Sequence, residues 1–434
     1  MDKNALFETL VRWNYWGDKL LPVLEQRNLL TTILRNSTGH LPVVISGARR
    51  SGKSSLLLLL MKNLLDSGVD RSQFLYLNFE EPQFTTHLSP LFLDQLVTIY
   101  RERINPDKNI YFFLDEIQSL PDWQRWVRRE ADLKEHRIFL TGSSAKLLSG
   151  EIATLLTGRY LEYQLFPLSF QEILKWNRIS YQTEVDWTVN KALIRNKLLE
   201  YLEWGGFPET VLTGDEEKRK KLLQQYLNDI LYRDIVYRYQ IRDVRLLEAI
   251  AYFYITNISA PHSYNRIRNI FDTSIDNIRR YSAYLEESFL LLMLNRFSFK
   301  VSIQQKSNRK VYVIDHGLRN QFGFRFSRDL GKLAENIVAV ALYQKGDNLF
   351  YHVNEGECDF IVQREHDFSP FQVCMGNLEQ EDVRRRELKG LLAAMQHLGK
   401  TEGTILTDDL EEMYKVDHRT IHFIPLWKFL IRNE

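Results

Sequence analysis

Residues 43–54 read VVISGARRSGKS. The first four have the composition of a short buried strand, and GARRSGKS (47–54) follows without a break. That octet fits G-x-x-x-x-G-K-[ST], and the Leu-rich stretch behind it reads as a helix, which is the context the motif requires. Gly47 and Gly52 permit tight turns, so the backbone N–H groups of Ala48, Arg49, Arg50, Ser51, Ser54 and Ser55 can surround phosphate oxygens. The helix N-terminus adds a favourable dipole. Lys53 is the expected cation for the β- and γ-phosphates, and the Ser54 hydroxyl a ligand for magnesium. The expected ligand is ATP with Mg2+.

Outward from this loop, short apolar runs alternate with amphipathic stretches. The runs are 74–79 (FLYLNF), 110–114 (IYFFL) and 137–141 (RIFLT). Strands separated by helices predict an α/β fold, a parallel sheet with helices on both faces. In Tyr111-Phe112-Phe113-Leu114-Asp115-Glu116 four apolar residues run into two carboxylates. Asp115 is expected to hold magnesium, directly or through water, and Glu116 to activate the attacking water. Leu140-Thr141-Gly142-Ser143-Ser144 ends the next run, where a polar side chain can sense the γ-phosphate and a plain strand-end turn would look the same. Arg159 is a candidate arginine finger, although a lone arginine is usually solvated or ion-paired.

The 434 residues have a formal net charge of +1, so bulk charge points to no nucleic-acid or membrane partner and any basic surface must be local. Two cysteines, Cys358 and Cys374, make no disulfide framework and suit a reducing cytoplasm. Strand alternation puts Gln372 and Cys374 on one face and Cys358 opposite Asp359, which argues against a disulfide. No apolar run approaches the roughly 20 residues that span a bilayer, and a cytoplasmic protein is expected. The ten histidines show no zinc-like spacing.

The flanking regions are read more coarsely. Residues 1–40 look helical. Residues 171–250 are mostly helix, broken at Trp204-Gly205-Gly206-Phe207-Pro208. In 251–330 two short helices flank Asp272-Thr273-Ser274, with Thr273 the expected N-cap and Asp276 at the third helical position. This suggests a helix-turn-helix with a wing at 297–314. Asn277, Arg279 and Arg280 then lie where DNA readers carry recognition residues, while many such folds pack only against protein. Lys218-Arg219-Lys220-Lys221 is a second basic run, either a solvated face or a nucleic-acid contact. The last region, 331–434, opens with a helix (332–344) and continues with a hairpin (349–374), a helix (380–398) and a strand (403–407).

GARRSGKSS, FFLDEIQSLPDWQRWV, FLTGSSAKLLS and LTGRYLEYQLFPLSFQEIL together resemble the bacterial and archaeal AAA-type ATPases with a C-terminal domain of unknown function. The resemblance continues through EWGGFPE (203–209), YRDIV (232–236), VYVIDHGLRNQF (311–322) and GKLAENIV (331–338). It implies an AAA-like core over 41–170, a helical lid over 171–250, a winged-helix-like segment over 251–330 and a C-terminal PD-(D/E)XK nuclease-like domain over 331–434. It also raises Ser143 as a sensor candidate and Arg159 as a finger candidate; a finger that acted in trans would put the ATP site at a subunit interface of a homo-oligomer. The nuclease pattern needs an acid on a helix, an acid on a strand and E-x-K on the partner strand. Glu335 and Asp359 supply the first two, but Gln372 and Cys374 stand where the acid and lysine belong. The expectation is an ATP-hydrolysing protein whose nucleotide cycle drives or switches C-terminal recognition domains, the last of them not a working nuclease. An ATP-regulated nuclease and a slow nucleotide switch are the alternatives, with nucleic acid a candidate partner through the winged-helix-like or C-terminal region.

Overall fold

The computed structural model describes residues 2–37, 39–84, 87–145, 159–322, 330–376, 378 and 380–432. Parts of two quoted stretches, 146–149 and 156–158, lie outside the described residues. The chain forms two compact units, Met1–Leu165 and Phe166–Glu434.

The first unit is built on helices α1 (Lys3–Trp13), α2 (Asn28–Asn36), α3 (Lys53–Asp66), α4 (Pro90–Arg103) and α5 (Trp123–Leu133). Its strands are β1 (Val43–Ser46), β2 (Phe74–Asn78), β3 (Tyr111–Asp115), β4 (Arg137–Gly142) and β5 (Leu161–Gln164). They form one parallel sheet in the order β2-β3-β4-β1-β5. Side chains alternate between faces along each strand. Val44, Leu75, Leu77, Phe112, Leu114 and Leu140 pack with α1, α4 and α5 on one face. Val43, Ile45, Phe74, Tyr76, Phe113 and Phe139 pack with α2 and α3 on the other. The register Ser46↔Gly142 and Asn78↔Asp115 brings the C-terminal strand ends to one edge. The four expected strands are present to within a residue. The fifth, Leu-Glu-Tyr-Gln, was not expected, because a polar four-residue edge strand has no apolar run to betray it.

The second unit contains α6 (Phe170–Trp176), α7 (Glu184–Trp204), α8 (Pro208–Leu212), α9 (Glu216–Asp229) and a π-helix (Ile230–Tyr237). There follow α10 (Val244–Thr256), β6 (Ala260–His262), α11 (Tyr264–Phe271), α12 (Ile275–Glu287), β7 (Leu291–Arg296), α13 (Val301–Lys306), β8 (Arg309–Val313) and α14 (His316–Phe322). The last elements are α15 (Leu330–Gln344), β9 (Asn348–Val353), β10 (Glu357–Arg364), β11 (Asp367–Cys374), α16 (Glu381–Leu398), β12 (Glu402–Thr407), β13 (Glu412–Val416), β14 (Arg419–Pro425) and α17 (Leu426–Ile431). One mixed nine-stranded sheet, β13-β14-β12-β11-β10-β9-β7-β8-β6, runs through this unit, so parallel pairing of β7 with β9 crosses residue 330.

Two local expectations need correction, and a third segment gains detail. The N-cap of α12 is Ser274, whose side chain accepts from Asn277 N; Thr273 instead accepts from the Asn277 amide at 3.0 Å. Two adjacent hydroxyl residues offer the same signature, and only the backbone decides between them. The segment expected as a wing, 297–314, carries the short helix α13 and then β8. Cys358 does not point away from Cys374: both free thiols are buried in one apolar cluster with Leu391, Ile405 and Phe423. The pairing of β9 with β10 shifts register between Cys358 and Ile361, which breaks the strict alternation on which the expectation rested.

Candidate functional site

The loop 47–52 leaves β1 at the sheet's C-terminal edge and enters α3. Its entry point requires glycine. Gly47 has φ +151°, and a Cβ there would lie 2.1 Å from the Leu165 carbonyl oxygen. Arg27, from the segment before α2, donates to the Ser51 carbonyl at 2.7 Å and pins the loop from outside. Lys53 is buried, with Nζ donating to the carbonyls of Gly47 and Ala48 at 3.1 Å each. The same Nζ lies 3.5 Å from Glu116 Oε1. Arg49 pairs with Glu80 at 2.8 Å, and Arg50 adopts a left-handed backbone with φ +68°. Among the described residues the buried Ser51 hydroxyl finds no hydrogen-bond partner, in the loop where phosphate oxygens are expected. With the close-packed Gly47, that orphaned donor fits a phosphate-bearing ligand.

The carboxylates stand at the end of β3. Asp115 accepts hydrogen bonds from the Tyr76 hydroxyl at 2.7 Å, from the Thr141 hydroxyl and from Ser54. Burial, and then the neighbouring Glu116, push the Asp115 carboxyl above its ordinary range. Burial also acts upward on Glu116, but the Lys53 and Arg49 cations outweigh it and hold that carboxyl low. Glu116 has a left-handed backbone (φ +53°), and its N–H donates to Thr141 Oγ1 at 3.0 Å. Gln118 Nε2 donates to Glu116 Oε2 at 2.5 Å and to Ser143 Oγ at 3.3 Å. The structure therefore gathers Lys53, Ser54, Asp115, Glu116 and Ser143, with the loop residues, at one edge of the sheet. The Ser54–Asp115 contact is an oxygen pair of the type magnesium takes. Tyr76, Thr141, Gln118 and Arg27 were not singled out from the sequence; the only signal was that Tyr76 and Thr141 lie near the C-terminal ends of strands.

Arg159 is not gathered there. It precedes Leu161, which pairs with Val43 at the opposite end of β1, and its exposed guanidinium is 3.1 Å from Asp132.

The C-terminal candidates form a second, buried group. Lys310 on β8 places Nζ 2.7 Å from Glu335, 2.8 Å from Glu357 and 3.0 Å from Asp359. Burial opposes its charge, but Asp359 and Glu335 prevail and hold the ammonium well above its ordinary pKa. Burial, then Asp359, push Glu335 up to about 8. Tyr312 donates to Glu335 at 2.6 Å, and Val373 N–H to Asp359 Oδ2 at 3.0 Å. Gln372 accepts from Asp359 N–H at 3.1 Å and donates to buried Glu387 at 2.6 Å. A cation thus accompanies the acids, although Cys374 stands at the expected lysine position. It comes from a strand that the motif does not include.

A family model described as an AAA domain matches residues 40–174, and one described as a domain of unknown function, DUF8612, matches 195–329. An uncharacterized protein of Methanocaldococcus jannaschii is 33% identical over 99% of this chain and 96% of its own length. An uncharacterized protein of Haemophilus influenzae is 30% identical, over 91% of this chain and 98% of its own. Among solved structures, the Aeropyrum pernix Orc1 protein in complex with DNA aligns at a TM-score of 0.32 with 13% identity, covering 76% of this chain and 97% of that one. The Bacillus subtilis clamp loader delta protein aligns at 0.27 with 11% identity, covering 59% and 86%. Among the described residues no helix is long and apolar enough to cross a membrane.

Proposed function

The chain belongs to the family of the Methanocaldococcus jannaschii and Haemophilus influenzae proteins and carries an AAA domain, and we propose that it binds ATP with magnesium and hydrolyses it at the edge of the five-stranded sheet. The observation that carries this reading is the convergence of Lys53 on Glu116 at 3.5 Å beside the Ser54–Asp115 contact. Lys53 Nζ exchanges the carbonyls of Gly47 and Ala48 for β- and γ-phosphate oxygens. The backbone of Gly47 to Ser55 cradles the phosphates. Ser54 and Asp115 hold magnesium, which when bound neutralises phosphate charge. Glu116, kept ionised by Lys53 and Arg49, takes the proton of the attacking water at a carboxylate oxygen. Gln118 links that carboxylate to Ser143, the γ-phosphate sensor. Arg159 acts as a finger on the site of a second copy, so the active form is self-associated. The test separates binding from turnover: Glu116→Gln should retain ATP and release almost no phosphate, and Lys53→Ala should lose affinity itself. Equal loss of ATP binding in both would make Glu116 structural and end this assignment.

In this reading the nucleotide cycle works on a helical lid (171–250), a winged-helix-like part (251–330) and a nuclease-like part (331–434) that recognises without cutting. A second reading, nucleic-acid contact through α11–α12, is supported by the exposed Arg279 and Arg280 on α12. Asn277 is less suited to base reading than its position implies, because its amide is tied to Thr273 and to Arg280.

A further inference from the structure

Helices α11 and α12 and the end of the chain joining β7 to β8 line a half-open cavity of about 500 Å3. Its walls carry three cations: Arg279 from α12, Lys306 from α13 and Arg309 from β8. Asn265 and Asn308 add amides, and Tyr264 adds a ring, with the Arg309 guanidinium 6.0 Å from its centroid. One acid faces this set, Glu286, 3.6 Å from Arg309. The same β7–β8 connection exposes Phe299, Val301 and Ile303 to 67%, 63% and 43%. These apolar side chains are set among Lys300 and Lys306. From His262 to Arg309 the sequence holds eight Lys or Arg against four Asp or Glu, in a chain of net charge +1.

Each feature selects against the simpler ligands. The excess of cations favours a polyanion over a protein segment. Amides pair with base edges, and an aromatic face stacks with any base. A concave cavity of this volume admits one small ligand rather than the wall of a groove, and a base stacked and paired in a duplex cannot enter it. We propose that this cavity takes one unpaired nucleotide of a nucleic-acid strand, its phosphate on Arg279 and Lys306. The proposal rests on the reading of α11–α12 as a nucleic-acid contact.

The test is fluorescence anisotropy of the full chain with a labelled 20-nucleotide single strand and with the blunt duplex of the same sequence. Unlabelled AMP serves as competitor. The single strand should bind at least about ten-fold tighter than the duplex, with affinity falling as salt rises. The double variant Arg279→Ala/Lys306→Ala should weaken single-strand binding by about ten-fold or more. The double variant should keep the wild-type urea unfolding transition, which reports an intact second unit, and the ATP turnover measured without nucleic acid. Equal binding of duplex and single strand overturns the unpaired-nucleotide assignment, and so does undiminished binding by the double variant. Competition by AMP at the strand's own concentration would assign the cavity to a free nucleotide and overturn the strand. Failure to bind any nucleic acid, with ATP turnover intact, removes this proposal and the second reading together and leaves the ATPase reading standing.

Discussion

Thr141 Oγ1 accepts the backbone N–H of Glu116 at 3.0 Å and donates to the Asp115 carboxylate. One fully buried hydroxyl on β4 therefore holds both Asp115, the last residue of β3, and Glu116, which follows it. Thr141→Val keeps the shape and removes the hydroxyl, which leaves a buried N–H and a buried carboxylate oxygen short of a partner. An unsatisfied buried group costs about 1–3 kcal/mol. The expected outcome is a lower melting temperature and a turnover loss of about ten-fold or more, with ATP affinity changed far less. Thr141→Ser should restore both. Stopped-flow nucleotide binding and steady-state phosphate release check this; full turnover in Thr141→Val would remove Thr141 from the site.

Arg159 lies at the end of β5 paired with the start of β1, and β1 alone separates it from the loop by about 10 Å. It cannot serve its own site from there. If it serves a second copy, Arg159→Ala should cut turnover by about 10³–10⁵-fold with ATP affinity intact. Loss of the exposed pair with Asp132 costs little by itself. Mixing Arg159→Ala with Lys53→Ala chains should restore part of the activity, because each supplies what the other lacks. A protein that stays monomeric in ATP and turns over fully without Arg159 would contradict the assignment.

Asp315 accepts from Gly206 N–H at 2.6 Å and from Gly317 N–H at 2.9 Å, joining the stretches VIDHG and WGGFPE. Gly205 has φ +77°, and a Cβ there would meet Asp315 Oδ1 at 1.9 Å. Burial pushes this carboxyl up to about 7, although backbone N–H groups pull the other way. The folded state then binds more protons than the unfolded one between the ordinary value of 3.8 and about 7. Stability from this group is fully present below that window and is lost as pH rises through it, by up to about 4 kcal/mol. Urea unfolding at pH 5 to 8 should show wild type gaining over Asp315→Asn as pH falls. The difference curve matters, since His316, pushed down to about 4 by burial, acts in the opposite sense below its ordinary 6.5. A flat difference would mean that the carboxylate stays ionised on its donors.

What was legible in the sequence was contiguous. The phosphate loop and the Asp115-Glu116 pair each occupy a single run, with the strand before them as context. Thr141 and Tyr76 were not legible as partners of Asp115, because that depends on β2 and β4 flanking β3, and strand order is not written in any one strand. Lys310 was missed for a related reason. It follows Arg309 at the charged start of the run RKVYV, where it reads as a second solvated cation at a strand end. Only the folded sheet shows it turned toward acids from α15 and β10. Asp315 is similar: the two motifs it joins lie more than a hundred residues apart, and neither shows the joint. The helix α13 defeated a strand-like reading because Val and Ile favour strands and the local preference is weak.

The last prediction is that the C-terminal part does not cut nucleic acid. Hydrolysis with magnesium needs carboxylate oxygens open to the metal and a lysine open to water or phosphate. Here the oxygens of Asp359 serve Lys310 and Val373 N–H, and Glu335 serves Lys310 and Tyr312. Gln372 is neutral, and both ends of its amide are engaged. The Lys310 ammonium is itself surrounded by three carboxylates. Such a group is a structural ion cluster, and its removal should cost stability. Lys310→Met leaves buried carboxylates without their cation, a change worth about 3–5 kcal/mol, read as a fall in the urea midpoint. Incubation of linear, supercoiled and single-stranded DNA, and of RNA, with magnesium or manganese should give no cleavage with or without ATP. Cleavage that vanishes in Asp359→Ala and survives in Glu116→Gln would show that the cluster opens to metal and that its lysine, supplied from β8, is at work.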